Sequence, residues 1–362
     1  MTHDDADQGM AAELRAAAER VVADRLDHGR TRRLRRTTPG YDTALVDTFT
    51  ELGWFGVLVP EEKGGLGLGL ADMAVLVRAL EKGLMSDPLL PIAVLGTRTL
   101  VQAGTEAADR LLGGVLSGEV RPALALDFDE ALPDVRWSNG TLTGRCEAVA
   151  GGAAATHLIV PARGDAGVAL YAVAADAPGL TQTQHWRADE TPVGLVTLDG
   201  VADAVLLAEA DRAEQAVAAA IDETRLVAAA GLVGLSEQML DLTIAYLKVR
   251  TQFDVAIGSF QALQHKVVDL YIQKEIAVAT VAYGLDLEQR GERVAGALRA
   301  KGRASATANR IARESLHLHG AIGFTDEHDI GLYLKRALTL SAWLGNAAAH
   351  RRRYIEMGMV HQ

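Results

Sequence analysis

Trp137-Ser-Asn-Gly-Thr-Leu142 is the stretch on which the fold class turns. Asn139 and Gly140 both tolerate the positive φ of a two-residue turn, and they stand between β-prone residues, so an antiparallel hairpin is expected here. Outward from it, from about Pro122 to Asp211, short β-prone runs recur at Thr156–Val160, Val168–Val173 and Val193–Leu198, bounded by Gly, Asp, Asn and Pro. That texture predicts a small all-β module. Residues 10 to about 118 are instead rich in Ala, Leu and Arg, which predicts helices. Breaks interrupt them at Pro60–Gly69 and at Ser86–Pro91. From Ala213 onward the chain returns to long helices. Leu232, Leu235, Met239, Leu242 and Tyr246 keep the 3/4 spacing of a buried stripe, as do Leu263, Val267 and Leu270. Gly258 and Gly291 mark helix ends and Gly320–Gly323 a loop. The fold class is α+β, with helices over residues 1–118, a β module over 119–211 and a helical bundle over 212–362.

A chain of 362 residues that is 49% hydrophobic can fill several cores, and 9 prolines with 23% charged residues argue against long disordered stretches. A net charge of −11 argues against nucleic-acid binding, which needs a basic surface. The basic run Arg30–Arg36 reads as a solvated helix face or a subunit contact. Cys146 is the only cysteine, so neither internal disulfides nor cysteine-rich metal sites are available. The acidic opening MTHDDADQGM lacks the apolar core of a secretory signal, and no uncharged apolar run reaches the roughly 18 residues of a membrane span, so a cytoplasmic location is expected. Glu314-Ser-Leu-His317 has di-iron spacing, but such sites need a second E-x-x-H, so a metal is not expected.

Three segments carry a family resemblance. Glu51-Leu-Gly-Trp-Phe-Gly-Val-Leu-Val-Pro-Glu-Glu-Lys-Gly-Gly-Leu-Gly67 resembles the N-terminal signature of acyl-CoA dehydrogenases. Arg250-Thr-Gln-Phe253 with Ile257-Gly-Ser-Phe-Gln261 resembles their R-x-Q-F-G…I-G-x-F-Q segment. His319-Gly-Ala-Ile-Gly-Phe-Thr-Asp-Glu-His-Asp329 with Tyr333-Leu-Lys-Arg336 is similar to their C-terminal signature. The resemblance covers essentially the whole chain. It implies an N-terminal helical domain, a small barrel-like middle β domain and a C-terminal four-helix bundle. It also implies FAD, an acyl-CoA substrate and an electron-transfer flavoprotein or similar acceptor. A carboxylate would remove the α-proton while the β-hydride passes to the flavin.

By the same resemblance, Arg250 would pair with the FAD pyrophosphate of a neighbouring subunit, as its planar fork suits two phosphate oxygens. Gln252 would assist, Phe253 would lie near the adenine, and Ile257 and Gln261 occupy further contact positions. His317, Leu318, Gly320 and Ala321 form the second contact segment. There His317 stands where the family has glutamine, and Ala321 replaces a glycine.

Other family residues are absent. Where the middle domain has K-x-W-I-T-N-G, this chain reads Cys146-Glu-Ala-Val-Ala-Gly-Gly152, so Ala148 and Ala150 replace the tryptophan and threonine that face the flavin. The T-E-P-x-x-G-S-D loop has no counterpart around Ala123–Asp127. The two positions at which family branches carry the base are Thr224 and Leu344, and neither side chain can serve. Glu223 and Asp222 are candidates for a relocated base; the bland reading of Glu223 is a solvated surface carboxylate.

Three readings follow. The chain is one subunit of a hetero-oligomer (α2β2) whose paralogous partner holds the flavin ring and base; or a self-sufficient homotetramer with a relocated base; or a non-catalytic structural subunit. Two-gene α2β2 members of the family, including those acting on steroid side-chain CoA esters in actinobacteria, resemble the first pattern.

Overall fold

Asn139 and Gly140 adopt φ +51° and +78° in the computed structural model, closing the expected hairpin between β2 (Asp134–Ser138) and β3 (Thr141–Ala150). The structure describes residues 3–85, 87–127 and 130–358; Ser86 and the first two residues of the acidic opening lie outside the described residues. β1 (Pro122–Leu124), β4 (His157–Gly164), β5 (Gly167–Ala174), β6 (Leu180–Trp186), β7 (Pro192–Val201) and β8 (Val205–Glu209) complete the sheet. Its pairing path is β6-β7-β3-β2-β4-β5-β8, with β1 added parallel to β4. Between Cys146 and Val149 the β3–β7 register shifts, so a bulge falls within the segment that carries Ala148.

Helices precede the sheet: α1 (His3–Arg25), α2 (His28–Leu34), α3 (Thr43–Glu51), α4 (Leu70–Lys82), α5 (Thr97–Ala103) and α6 (Glu106–Ser117). After it come α7 (Ala210–Val249), the ribbon of β9 (Thr251–Gln252) and β10 (Val255–Ala256), then α8 (Gln261–Gln289), α9 (Arg293–His319), α10 (Ile330–Ala342) and α11 (Ala347–Glu356). The order of helices, sheet and helices is as expected. Two local readings change. Leu90–Gly96 is a wide helical turn leading into α5, so Leu90 and Pro91 belong to a helix rather than a break. Gly258 sits in the short turn before α8, where an added Cβ would stand 2.9 Å from the Leu247 carbonyl oxygen.

By contact density the chain forms two units: residues 1–28, 74–85 and 225–362, and residues 29–73 and 86–224. The boundary falls inside α7, between Thr224 and Arg225.

In the second unit, the glycine-rich signature makes a tight crossing. Gly67 N donates to the Val59 carbonyl, and a Cβ on Gly65 would stand 2.1 Å from that carbonyl oxygen, so only glycine fits there. Phe49, Trp54 and Phe55 pack beside it, with Phe49–Trp54 centroids 5.2 Å apart. Within the basic run, Arg30 pairs with Asp42, and Arg35 and Arg36 pair with Glu190 in the turn between β6 and β7.

In the first unit, Leu232, Leu235 and Met239 are buried, while Leu242 and Tyr246 are half-buried. On α8 the predicted stripe is thinner: Leu270 is buried and Leu263 and Val267 are half-buried. Val268, Tyr271, Ile272, Ile276 and Tyr283 of the same helix are exposed. The C-terminal Tyr-x-Lys-Arg pattern is a core clasp. Tyr333 Oη donates to the Lys82 carbonyl at 2.6 Å, and the Arg336 guanidinium grips the buried Glu81 carboxylate, its Nη2 at 2.6 Å.

Candidate functional site

Two exposed segments in the first unit hold the residues expected to meet a nucleotide cofactor. Arg250 follows α7 directly, and its N–H donates to the Tyr246 carbonyl at 2.9 Å. β9 and β10 then pair through Gln252–Val255 and Thr251–Ala256, and Ile257 N closes the loop on the Arg250 carbonyl at 2.8 Å. Phe253 and Asp254 form the turn at φ +53° and +62°. Left-handed backbone at non-glycine residues costs roughly 1–2 kcal/mol each, so the ribbon retains strain at its tip. Phe253 is 87% exposed and touches only the edge of Phe260 among aromatic rings, at 6.3 Å. Arg250, Gln252 and Gln261 are exposed as well, and Ile257 is half-buried.

The second segment follows α9. His317, Gly320 and Ala321 are exposed, with Gly320 at φ +65°. Leu318 is buried, so only its backbone is available to a ligand. Ile322 and Phe324 are exposed here, Phe324 at 74%, and sequence reading did not single them out. Their motif positions were visible; their exposure was not, because a large apolar residue in a short loop is as readily buried. Glu314 pairs with Lys266 at 2.7 Å, which holds its carboxyl below the usual range. Among the described residues no group of three or more His, Cys, Asp or Glu side chains could hold a metal ion.

The positions matched to the flavin-facing and basic groups are built differently. Ala150 is buried and its strand pairs with Val193, while an added Cβ on Gly151 would meet Pro91 at 3.1 Å. Cys146 beside them is buried, and burial, then the Asp127 carboxylate, pushes its thiol up to about 12. Thr224 is fully buried and its hydroxyl donates back to the Ala220 carbonyl at 2.6 Å. Leu344 is buried at φ +56°, and its carbonyl accepts from Arg225 Nε at 3.0 Å. The same turn is held by the buried Lys301 ammonium, which donates to the carbonyls of Leu340 and Trp343 at 2.9 Å each.

Glu223 is not a solvated carboxylate. It is 1% exposed; Arg98 donates to it through Nε at 2.5 Å and Nη2 at 3.0 Å, and Gln102 Nε2 adds a third bond at 2.7 Å. Arg98 Nη1 also donates to the Leu58 carbonyl at 3.0 Å, so the pair braces the wall of an open cavity of about 390 Å³ that Arg98 lines with Leu58, Pro60 and Leu68. A carboxylate receiving three donors has few lone-pair directions left for abstracting a proton. Asp222 beside it is buried as well.

Set against a flavin nucleotide, the exposed arginine, glutamines and aromatic rings of the two arms fit the phosphates and flat bases of such a group. The Cys146–Gly152 segment does not fit an isoalloxazine ring, since it offers no ring to stack on and no side-chain donor beyond a buried thiol.

Residues 8–119 match the acyl-CoA dehydrogenase N-terminal domain and residues 214–358 the acyl-CoA dehydrogenase C-terminal domain. Acyl-CoA dehydrogenase IpdE2 of Mycolicibacterium smegmatis is 31% identical over 319 residues, spanning 87% of this chain and 88% of that protein. The Tcur3481–Tcur3483 steroid ACAD superimposes with a TM-score of 0.88 at 30% identity, over 98% of both chains. The ChsE4–ChsE5 complex from Mycobacterium tuberculosis superimposes with a TM-score of 0.86 at 26% identity, over 100% of this chain and 98% of that one.

Proposed function

The chain belongs to the acyl-CoA dehydrogenase family, and we propose that within it this protein is the partner subunit of a heteromeric enzyme, completing the FAD site of a paralogous chain that carries the base. One contrast carries the reading: the residues matched to cofactor contacts across an interface are mostly exposed, whereas Thr224, Leu344 and Ala150, matched to this chain's own chemistry, are buried and unsuited to it. The family's members are FAD-dependent oxidoreductases acting on CH–CH bonds.

FAD, when bound, supplies the acceptor for the β-hydride. This chain's part is to hold it. Arg250 would neutralise the pyrophosphate, Gln252 and His317 would donate to it, and Phe253 would lie near the adenine. Backbone groups of Leu318, Gly320 and Ala321 would contribute from the second segment, and Ile257 and Gln261 would support the first arm. The α-proton falls to a carboxylate of the partner. The substrate is an acyl-CoA thioester, and the likeness to steroid ACAD structures supports a steroid side-chain CoA ester. The exposed aromatic and aliphatic residues of α8 support an oligomer, as do Phe253 and Phe324. We place the complex in the cytoplasm, with an electron-transfer flavoprotein or similar acceptor; no helix among the described residues is long and apolar enough to cross a membrane. Its segments 1–118, 119–211 and 212–362 are taken as its domains.

The Arg98–Glu223 clamp weighs against a self-sufficient homotetramer based on Glu223. The deciding experiment expresses the chain alone and together with the paralogous acyl-CoA dehydrogenase of an adjacent gene, and reads flavin absorbance per chain. The expected result is a colourless chain alone and about one FAD per heterodimer together. A yellow homo-oligomer that turns over acyl-CoA by itself overturns the proposal.

A further inference from the structure

The two arms meet at a ring cluster that the cofactor motifs do not explain. His319 is the last residue of α9, directly before the Gly320–Phe324 turn, and is 2% exposed. Its Nδ1 donates to the Ser315 carbonyl at 2.7 Å, which sets the neutral tautomer and leaves Nε2 a bare lone pair. That Nε2 is buried and has no hydrogen-bond partner. An unpartnered buried nitrogen costs stability that an apolar ring of similar shape would not.

What His319 touches gives it a use. Its ring stacks on Tyr246, with centroids 4.6 Å apart and planes at 28°, and packs against His328 at 4.4 Å and 56°. Tyr246 lies one turn before Arg250 on α7 and accepts the Arg250 N–H. His328 accepts from Ile330 N at 3.2 Å, at the start of α10. One imidazole therefore touches the helix end that carries the Arg250 ribbon, is itself the residue from which the second arm departs, and reaches the segment that follows that arm.

We propose that His319 is a positioning residue: stacked on Tyr246 as a neutral ring, it sets the spacing between the Arg250–Gln261 arm and the His317–Gly323 arm, and a proton taken from solvent at Nε2 releases it. The proposal relies on the reading of these segments as cofactor arms, but the spacing is a property of this chain alone. The groups facing His319 are the Tyr246 ring, the His328 imidazole and the Ser315 carbonyl. None of them is a carboxylate that would welcome a cation at Nε2. Burial, and then His328, hold the His319 ring below the usual imidazole range, against the opposing pull of the Ser315 carbonyl. With the closed-state value lowered, the closed arrangement is unpenalised above the ordinary imidazole value and weakens as pH falls below it.

The test needs no partner and no flavin. Spin labels placed at exposed Thr251 and Ala321, in the full chain with Cys146→Ala, report the distance between the arms by pulsed electron resonance. The wild-type background should give one narrow distribution at about pH 7.5 that broadens about twofold near pH 5.5. His319→Phe keeps a ring and cannot titrate, so it should stay narrow at both. His319→Ala should be broad at both. A narrow His319→Ala distribution overturns the proposal, as does a wild type that ignores pH or a His319→Phe variant that still broadens. Should His319→Ala fail to fold, the Phe variant still decides. Absence of a flavin-loaded complex would instead count against the partner-subunit reading and leave this result standing.

Discussion

The arms at residues 250–261 and 317–324, and separately the positions Cys146–Gly152, Thr224 and Leu344, are matched to cofactor-site motifs, yet their side chains end in different places. Phe253 and Phe324 project large apolar rings into solvent, and the ribbon keeps two non-glycine residues at positive φ to do so. At Thr224, Leu344 and the neighbouring Glu223 the polar groups are satisfied inside the protein. The Thr224 hydroxyl returns to its own helix, the Leu344 carbonyl is capped by Arg225, and Glu223 is saturated by Arg98 and Gln102. Exposed apolar rings on a strained tip are costly for an isolated chain, whereas a packed, satisfied interior is what stability alone favours. The difference teaches that residues matched to one kind of motif can stay exposed while residues matched to another are packed away, and the proposed partner-subunit role rests on that difference.

Breaking the absorbed region should have the largest effect. Glu223→Ala leaves the Arg98 guanidinium without its counter-ion, and should cost about 3–5 kcal/mol in chemical denaturation. If Glu223→Gln instead folded with near-native stability but removed turnover from a chain active by itself, Glu223 would be a base and the contrast would collapse.

Arg250→Ala acts on the other side. Losing a bidentate phosphate contact of about 2–3 kcal/mol should weaken FAD retention by the complex roughly 30- to 150-fold, with the melting temperature of the chain alone unchanged. Equal FAD affinity in a titration followed by flavin fluorescence would remove the role given to Arg250.

A third probe is acid. His350 is fully buried beside the Leu344 turn, and burial, then the Lys301 and Arg225 charges, bring its ring down to about 3. A folded value below the unfolded one means no penalty above about pH 6.5 and a growing one beneath it, so stability should fall by about 2 kcal/mol between pH 7.5 and pH 5. His350→Phe should flatten that acid limb; an unchanged limb would assign it to other groups.

The smallest effect is expected at the ribbon tip. Asp254→Gly removes part of the left-handed backbone cost and should stabilise the chain by up to about 1 kcal/mol. A destabilised variant in the same melt would mean that the Asp254 side chain holds the turn.

Much of this architecture was legible from residues in order. Asn139-Gly140 needs only its own backbone preference to make a hairpin, and helical spacing and β-prone runs report local burial. The glycine-rich signature, the Arg250 segment and the His319 segment identified the family, and motif alignment placed Ala148, Ala150, Thr224 and Leu344 at the positions of the tryptophan, threonine and bases. What the motifs did for a living was less legible. Tyr333 and Arg336, quoted as part of a signature, turned out to clasp Glu81 and the end of α4, and Leu318 keeps its side chain inside.

The remainder was decided only when distant pieces met. Glu223 and Arg98 are 125 residues apart, and nothing in the neighbourhood of either announces the other, so a carboxylate that reads as solvated became a buried clamp. Tyr246, His319 and His328 likewise form one cluster from α7, α9 and the loop before α10. Local preference follows from each residue's own backbone and side chain, and the sequence by itself determines it. Burial, partner and exposure are properties of pairs, set by packing across long separations, and here they separate the arms that reach outward from the positions that closed in on themselves.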